Sequence, residues 1–165
     1  MNPNDIVYVL KNRCLYLNLI GEIRHTLCIN LDSLIQNIIQ QDKMDKAVVD
    51  LRQARFLDST SLGIIARIAR HMHKKSPDKP VLISTNEDIN QILDSVQFNE
   101  IAQIVDHWDS LPDQYCKISE NPDYIRSPRE IVLDSHKELT KINKENLDKF
   151  IGVIESLDNK HKQGK

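Results

Sequence analysis

Apolar residues in the first part of the chain follow two different spacings. Residues 6–10 and 13–20 are rich in β-prone side chains and are separated by two turn-forming residues, a pattern that predicts a β-hairpin. Leucine and isoleucine residues from 27 to 39 then recur every three or four positions, which predicts a first helix. Thr26 or Asn30 is expected to cap this helix, because its side-chain oxygen can accept a hydrogen bond from an unpaired backbone N–H group.

The central stretch of the chain, residues 47–75, predicts a buried strand that leads into a second helix. Residues 47–51 form a short apolar run with little polar alternation, which is typical of a strand covered on both faces. Residues 58–61 are one aspartate and three hydroxyl residues, and their side chains suit the unpaired N–H groups of a first helical turn. The helix after them has one apolar face, and its opposite face carries Arg67, Arg70, His71 and Lys74. This opposite face is expected to meet solvent or a partner.

A further strand and helix follow the same alternation. Residues 80–84 have the composition of a short buried strand, and Thr85 or Asn86 is expected to cap a helix after it. Residues 98–105 predict a turn and then a last short strand or helix. The repetition of strand, helix and strand argues for parallel crossovers, so the predicted fold class is α/β.

The rest of the chain changes character twice. Residues 107–127 lose the periodic pattern and contain two prolines, which is typical of a linker. Ser127, Pro128 and Glu130 then form a strong helix start, with a serine cap, a proline at the first helical position and a glutamate placed to close a capping box. The expected division is into a compact domain, a linker and a helical extension, at residues 1–106, 107–127 and 128–160.

The helical extension is too long for the compact domain to cover it fully. A helix of about 30 residues spans about 45 Å at 1.5 Å per residue. Three arrangements are open: the helix overhangs the domain, it folds into two shorter helices, or it meets a second chain and forms a homodimer.

Composition and charge exclude some classes of function. The chain has 165 residues, of which 40% are hydrophobic, and this is enough for one packed domain with an appendage. Its 22 basic and 24 acidic residues leave a net charge of −2, so no nucleic-acid partner is expected. No apolar run approaches the roughly 18 to 20 residues that span a bilayer, and the first residues lack a signal-peptide pattern. The expected location is therefore the cytoplasm, without membrane insertion.

The sequence shows no pattern of catalytic or metal-binding residues. Cys14, Cys28 and Cys116 are widely scattered, which fits reduced thiols better than a disulfide frame or a zinc site. His71 and His73 are two positions apart and so point to different sides of a helix. No P-loop, GxGxxG, HExxH or nucleophile-elbow pattern is present. We therefore expect no enzyme activity, no cofactor and no metal.

Several motifs together resemble the STAS domains, the family of bacterial anti-sigma factor antagonists. Residues 48–51 and 56–63 resemble the central signature of this family. Residues 19–23 resemble its early strand-to-turn signature, and residues 86–105 resemble its last helix and strand. The motifs occur in the family's order, and the resemblance covers residues 6–105. It implies the STAS fold, a small mixed sheet of four to five strands packed with helices, to which this chain adds a C-terminal helical extension.

The resemblance also implies a phosphorylation switch at the start of the second helix. In this family an anti-sigma factor with a kinase-type ATP-binding domain phosphorylates one Ser or Thr there, and a PP2C-type phosphatase removes the phosphate. By motif position the acceptor is Ser59, directly after Asp58. Thr60 is the second choice and Ser61 the third, because many members have Gly at the position of Ser61. The local chemistry alone favours a simple N-cap role for Ser59. The residues expected to contact the partner are Asp58, Thr60, Ser61, Leu62, Arg67 and Arg70.

The expected function is partner switching in signal transduction and transcription regulation. The chain would bind an anti-sigma factor or another effector while Ser59 is unphosphorylated and be released when Ser59 is phosphorylated. The charged helix at residues 133–146 resembles a narrower proteobacterial subgroup, whose partner is a response regulator fused to phosphatase and kinase modules. An alternative keeps the fold without the switch: a constitutive STAS subunit of an ABC-type lipid transporter or of a stressosome-like scaffold.

Overall fold

The structure, a computed structural model, describes residues 3–163, with side chains described as far as residue 159. Within these residues the chain forms seven strands and five α-helices, with one short 3₁₀ turn at Phe98–Glu100. In chain order the strands and helices are β1 (Asp5–Lys11), β2 (Cys14–Ile23), α1 (His25–Gln40), β3 (Lys46–Asp50), β4 (Ala54–Leu57), α2 (Ser59–His73), β5 (Val81–Ile83), α3 (Glu87–Ser95), β6 (Gln103–Val105), β7 (Cys116–Lys117), α4 (Pro128–Thr140) and α5 (Lys144–Gln163). The alternation of strands and helices confirms the predicted α/β class.

The seven strands form one mixed sheet. Six of them lie in the order β6, β5, β3, β2, β1, β7, and β4 pairs with the end of β2. β1 and β2 form the predicted antiparallel hairpin, and its turn residues Asn12 and Arg13 have φ angles of 52° and 62°. The pairs β2–β3, β3–β5 and β5–β6 are parallel, so each connection between them has to cross over the sheet.

The sheet has more strands than the four to five expected. The two additional strands are β4, with four residues, and β7, with two residues inside the predicted linker. β4 pairs with the last residues of β2 across an irregularity at Gly21, and β7 pairs with Val7 and Tyr8 of β1. Segments this short contain too few residues for a recognisable alternation, so their strand conformation depends on the neighbouring strand.

The helices pack on one face of the sheet. In β3, Val49 joins the large buried cluster that includes residues of α1 and α2, whereas Val48 belongs to a smaller cluster with Val81 and Ile83. Successive side chains of a strand point to opposite faces, so the two clusters lie on opposite sides of the sheet. Leu111, from the segment after β6, packs against the smaller cluster. Both faces of β3 are therefore covered, as its apolar sequence predicts.

Two predicted helix starts are confirmed. Asn86 caps α3, since its side chain accepts a hydrogen bond from the N–H of Asp88 at 2.8 Å. Ser127 caps α4, since its hydroxyl oxygen accepts a hydrogen bond from the N–H of Glu130 at 3.2 Å, with Pro128 at the first helical position. These starts depend only on neighbouring residues, which explains why the sequence indicates them.

The predicted cap of the first helix is wrong. α1 begins at His25, with Arg24 at the cap position and no side-chain cap hydrogen bond, so neither Thr26 nor Asn30 acts as an N-cap. β2 ends at Ile23, so the chain passes from the strand into the helix with a single residue between them. The end of the paired strand therefore sets this start, and a capping side chain does not.

The helical extension forms two shorter helices, the second of the three arrangements left open by the sequence. Asn143 starts α5 by accepting a hydrogen bond from the N–H of Glu145 at 2.9 Å. The fully buried Asn146 donates hydrogen bonds to the carbonyl oxygens of Leu139 and Val96, at 2.8 and 2.9 Å. These bonds hold the turn between α4 and α5 against the end of α3.

Helix α4 packs along α2, and Ile131 and Leu139 of α4 belong to the main buried cluster of the sheet. Within the part of the chain that the structure describes, no helix has the length and apolar character needed to cross a membrane.

Candidate functional site

Asp58 and Ser61 hold the corner between β4 and α2. Asp58 is the N-cap residue of α2, and its Oδ1 accepts a hydrogen bond from the N–H of Ser61 at 2.9 Å. The hydroxyl of Ser61 donates to the carbonyl oxygen of Asp58 at 2.8 Å. Ser59 is the first residue of the helix and has no part in these bonds. The N-cap role that local chemistry favours for Ser59 therefore belongs to Asp58.

The three hydroxyl residues of this corner differ in exposure. Ser61 is fully buried, and Thr60 is only 3% exposed. Ser59 is half-buried, so it is the most exposed residue of the three.

The hydroxyl of Ser59 contacts a histidine of the helical extension. Its Oγ lies 2.8 Å from Nε2 of His136, which is 77 positions away along the chain. Nδ1 of His136 lies 2.6 Å from the carbonyl oxygen of Val132 and donates to it, because a carbonyl oxygen can only accept. In the neutral ring Nε2 then has the lone pair and accepts the hydrogen bond from Ser59. Sequence reasoning missed His136, since nothing in a charged helix indicates which side chain faces a distant serine.

Gly63 lets α4 approach α2 closely. A Cβ atom at this position would lie 2.2 Å from the carbonyl oxygen of Ser135 and 2.5 Å from its Cα atom. Such distances are far inside van der Waals contact, so only glycine allows the backbone of α4 to rest on α2 here. Ser135 itself is 3% exposed.

A bidentate ion pair joins the two helices further along α2. Nη2 and Nε of Arg70 donate to the two carboxylate oxygens of Glu138, at 2.6 and 2.9 Å. The hydrogen bonds to Glu138 raise the pKa of Arg70. Glu138 is 6% exposed, and the bidentate pair gives both of its carboxylate oxygens a hydrogen-bond donor.

A buried aspartate of α1 binds two arginines. Asp32 is fully buried and lies 3.0 Å from Nη2 of Arg67 and 2.7 Å from Nη2 of Arg126. Arg126 also pairs with Asp134 of α4. Burial lowers the pKa of Arg67, whereas the hydrogen bonds to Asp32 and Asp134 outweigh burial and raise the pKa of Arg126. This cluster ties α1, α2 and the start of α4 together.

The residues predicted to contact a partner therefore lie in three settings. Asp58 is half-buried at the corner, beside Ser59. Thr60, Ser61 and Leu62 are buried in the first turn of α2. Arg67 and Arg70 form the internal ion pairs described above. Partner contact by these six residues stays a prediction.

The described residues contain no group of three or more His, Cys, Asp or Glu side chains placed to hold a metal ion. His71 is partly buried, with its Nε2 3.9 Å from Asp42, whereas His73 is exposed, so the two histidines diverge as their spacing indicates. Cys14, Cys28 and Cys116 are free thiols. Burial raises the pKa of Cys28 well above the ordinary range of a thiol, which keeps it protonated.

Comparison with known protein families identifies the class of this chain. Residues 5–111 match the family model of the STAS domain. The chain belongs to the STAS domain family, as its motifs predict. No protein with a curated description matches the chain by sequence.

Two solved structures share the fold. The anti-sigma factor antagonist SpoIIAA in its unphosphorylated form is 15% identical, with a TM-score of 0.52 over 62% of this chain and 87% of that chain. The Bacillus cell fate determinant SpoIIAA in its phosphorylated form is 13% identical, with a TM-score of 0.50 over 60% of this chain and 88% of that chain. At these identities the likeness establishes the fold. The family match ends at residue 111, before α4 begins.

Proposed function

We propose that this chain is an anti-sigma factor antagonist that switches partners according to the phosphorylation of Ser59. The unphosphorylated form binds an anti-sigma factor or another effector in the cytoplasm, and the phosphorylated form is released. The observation that carries the proposal is the place of Ser59: it is the first residue of α2, it is the most exposed of the three hydroxyl residues, and the helix cap does not need it.

The phosphoryl donor in this proposal is ATP bound to a kinase-type anti-sigma factor or to a response regulator with a kinase module. Oγ of Ser59 forms a bond to the γ-phosphorus, the bond from that phosphorus to the bridging oxygen breaks, and ADP leaves. The hydroxyl proton passes to a base of the kinase or to water. A PP2C-type phosphatase reverses the modification by hydrolysis.

A phosphate at Ser59 changes the surface without requiring the domain to unfold. It adds about −1.5 to −2 charges at neutral pH, next to the carboxylate of Asp58. The positive end of the α2 macrodipole stabilises this charge within the domain. A partner surface that fits a neutral hydroxyl beside Asp58 instead meets like-charge repulsion. The fold that this chain shares with both forms of SpoIIAA supports such a switch.

Phosphosite mapping tests the proposal directly. We expect that incubation of the full chain with ATP and a kinase-type ATPase encoded by a neighbouring gene adds one phosphoryl group, located at Ser59 by fragmentation mass spectrometry. Ser59→Ala should abolish the modification. Thr60→Val, which keeps the shape of a buried side chain, should not. In pull-downs with the same kinase, Ser59→Asp should bind at least about tenfold more weakly than Ser59→Ala.

Two results would contradict the switch. One is equal retention of Ser59→Ala and Ser59→Asp by the partner. The other is an unmodified chain that co-purifies stably with an ABC-type ATPase, which would favour the constitutive scaffold subunit instead.

A further inference from the structure

Helix α4 covers the face of α2 that carries Ser59. The contacts are the hydrogen bond of Ser59 with His136, the close backbone approach at Gly63, and the ion pair of Arg70 with Glu138. From Ser59 to Arg70 they span about 16 Å of α2 at about 1.5 Å per residue. The extension is therefore docked along most of the helix, with the Ser59 hydroxyl at one end of the contact.

A phosphoryl group on Ser59 is incompatible with the contact to His136. His136 is 6% exposed and lies directly against Oγ, at 2.8 Å. The ring is held on its other sides by the carbonyl oxygen of Val132 and by the ring of Phe150, whose centroid is 5.3 Å away in an edge-to-face arrangement. A phosphorus atom and three oxygens do not fit within the 2.8 Å between Oγ and Nε2, so phosphorylation breaks this contact.

We propose that α4 is a gate over Ser59, closed while the hydroxyl is free and held open by the phosphate. This inference rests on the proposed function for its biological role, because it describes how access to the same serine is controlled. In the closed form α4 competes with any kinase or effector for the surface of α2. In the phosphorylated form the Ser59–His136 bond is lost and the phosphoryl group takes the space against the His136 ring, so reclosure is blocked. The charge beside Asp58 still repels the partner, so the open phosphorylated form does not bind it.

The gate has a consequence for the strength of partner binding. A partner that needs the open form binds with an affinity proportional to the open fraction, since the apparent dissociation constant is the intrinsic one divided by that fraction. The Arg70–Glu138 pair and the apolar contacts of Ile131 and Leu139 set that fraction, because they stabilise the docked helix. Release of the extension therefore strengthens partner binding to an unphosphorylated chain.

Hydrogen exchange of the full chain, followed by mass spectrometry, tests the gate without any partner. The test compares the wild type, a chain with phosphoserine incorporated at position 59 during translation, and Gly63→Ala, in which the new Cβ meets the backbone of Ser135. We expect hydrogen exchange in residues 128–140 to be at least about tenfold faster in the phosphoserine chain and in Gly63→Ala than in the wild type. Exchange in β3 and β5 should stay at the wild-type rate, which shows that the sheet remains folded.

Gly152→Ala is the matched control, since a Cβ at this position of α5 has no atom within 4 Å. It should exchange like the wild type. If Gly63→Ala does not fold, Glu138→Gln replaces it, because the amide keeps the size of the side chain and removes the charge that pairs with Arg70. A phosphoserine chain whose α4 exchanges at the wild-type rate would overturn the gate.

The gate and the proposed function can fail separately. Phosphorylation of Ser59 by a kinase, with α4 still protected, would leave the switch standing and refute the gate. An α4 released by phosphoserine in a chain that no kinase modifies at Ser59 would support the gate and refute the switch.

Discussion

Adjacent residues at the start of α2 have separate structural tasks. Asp58 and Ser61 provide the helix cap, whereas Ser59 points its hydroxyl to a residue of another helix. The sequence shows four residues that can each cap a helix, and helical propensity does not distinguish among them. The distinction comes from the contacts that each side chain makes in the folded chain. The choice among the three hydroxyls is therefore a question about tertiary geometry.

His71 makes stability depend on pH. Burial lowers its pKa, and the nearby Lys75 lowers it further. The folded state then binds fewer protons than the unfolded state, so the stabilisation is complete above the ordinary histidine pKa of about 6.5 and is lost as the pH falls through the lowered folded-state value. We expect the free energy of unfolding, measured with urea, to decrease more between about pH 7.5 and about pH 5.5 in the wild type than in His71→Gln.

His73→Gln is the control for this measurement, because His73 is exposed and lies two positions further along the same helix. It leaves His71 in place and should show the wild-type dependence on pH. If the free energy of unfolding falls equally with pH in the wild type and in His71→Gln, the burial of His71 does not make stability depend on pH.

At the scale of single elements, α2 is buried over more of its circumference than its sequence indicates. Its apolar stripe predicts one buried face, but every residue from Thr60 to Ala66 is buried. The sheet covers one side of these turns and α4 covers the other. Gly63 makes this possible, because the missing Cβ lets a second helix come close to the backbone of α2. The side of α2 that faces away from the sheet is thus an internal interface in the first turns of the helix.

The break between α4 and α5 depends on Asn146. Its buried side chain donates to two backbone carbonyl oxygens, one in α4 and one at the end of α3. We expect Asn146→Leu to lower the free energy of unfolding by about 1 to 3 kcal/mol, since it leaves both carbonyl groups without their donor. Urea denaturation of the full chain measures the change.

Asn159→Ala provides the comparison, because Asn159 is exposed near the end of α5. We expect Asn159→Ala to change the free energy of unfolding by no more than about 0.5 kcal/mol, as at most exposed positions. An Asn146→Leu chain as stable as Asn159→Ala would show that the turn does not need these hydrogen bonds.

At the scale of the whole molecule, the extension and the sheet share one core. Ile131 and Leu139 of α4 lie in the same buried cluster as Leu15 and Leu82 of the sheet. The STAS match ends at residue 111, so this part of the core is an addition to the family fold in this chain. Regulation through the extension is consistent with such a shared core, because moving α4 exposes α2 directly.

Homodimer formation through the C-terminal helix stays a prediction, and α5 is the helix with exposed apolar side chains to support it. Leu147 is 45% and Ile151 is 37% exposed, and they lie one turn apart on the same side of α5. If this side pairs two chains, Leu147→Lys with Ile151→Lys should abolish a concentration-dependent increase in sedimentation coefficient. Val153→Lys, which changes an exposed residue on the other side of the helix, should leave it unchanged. A wild-type chain that sediments as a monomer at all concentrations would exclude the dimer.

Much of the fold could be predicted from the sequence because it depends on neighbours along the chain. The hairpin at Asn12, the cap at Asn86 and the start of α4 at Ser127 each arise from short-range hydrogen bonds or turn preferences. The alternation of strand, helix and strand added the parallel crossovers, which the pairs β2–β3, β3–β5 and β5–β6 confirm. Short strands such as β4 and β7 were missed, because their pairing depends on a distant partner strand.

The surroundings of Ser59 were decided by the tertiary structure alone. The sequence by itself determined that a hydroxyl-rich corner opens an amphipathic helix, and its resemblance to the STAS family makes Ser59 the first candidate for modification. Only packing placed His136 against that hydroxyl, used Gly63 as the point of closest approach, and paired Arg70 with Glu138. These contacts join residues about 70 positions apart, and no local pattern encodes which turn of a late helix will meet an early one.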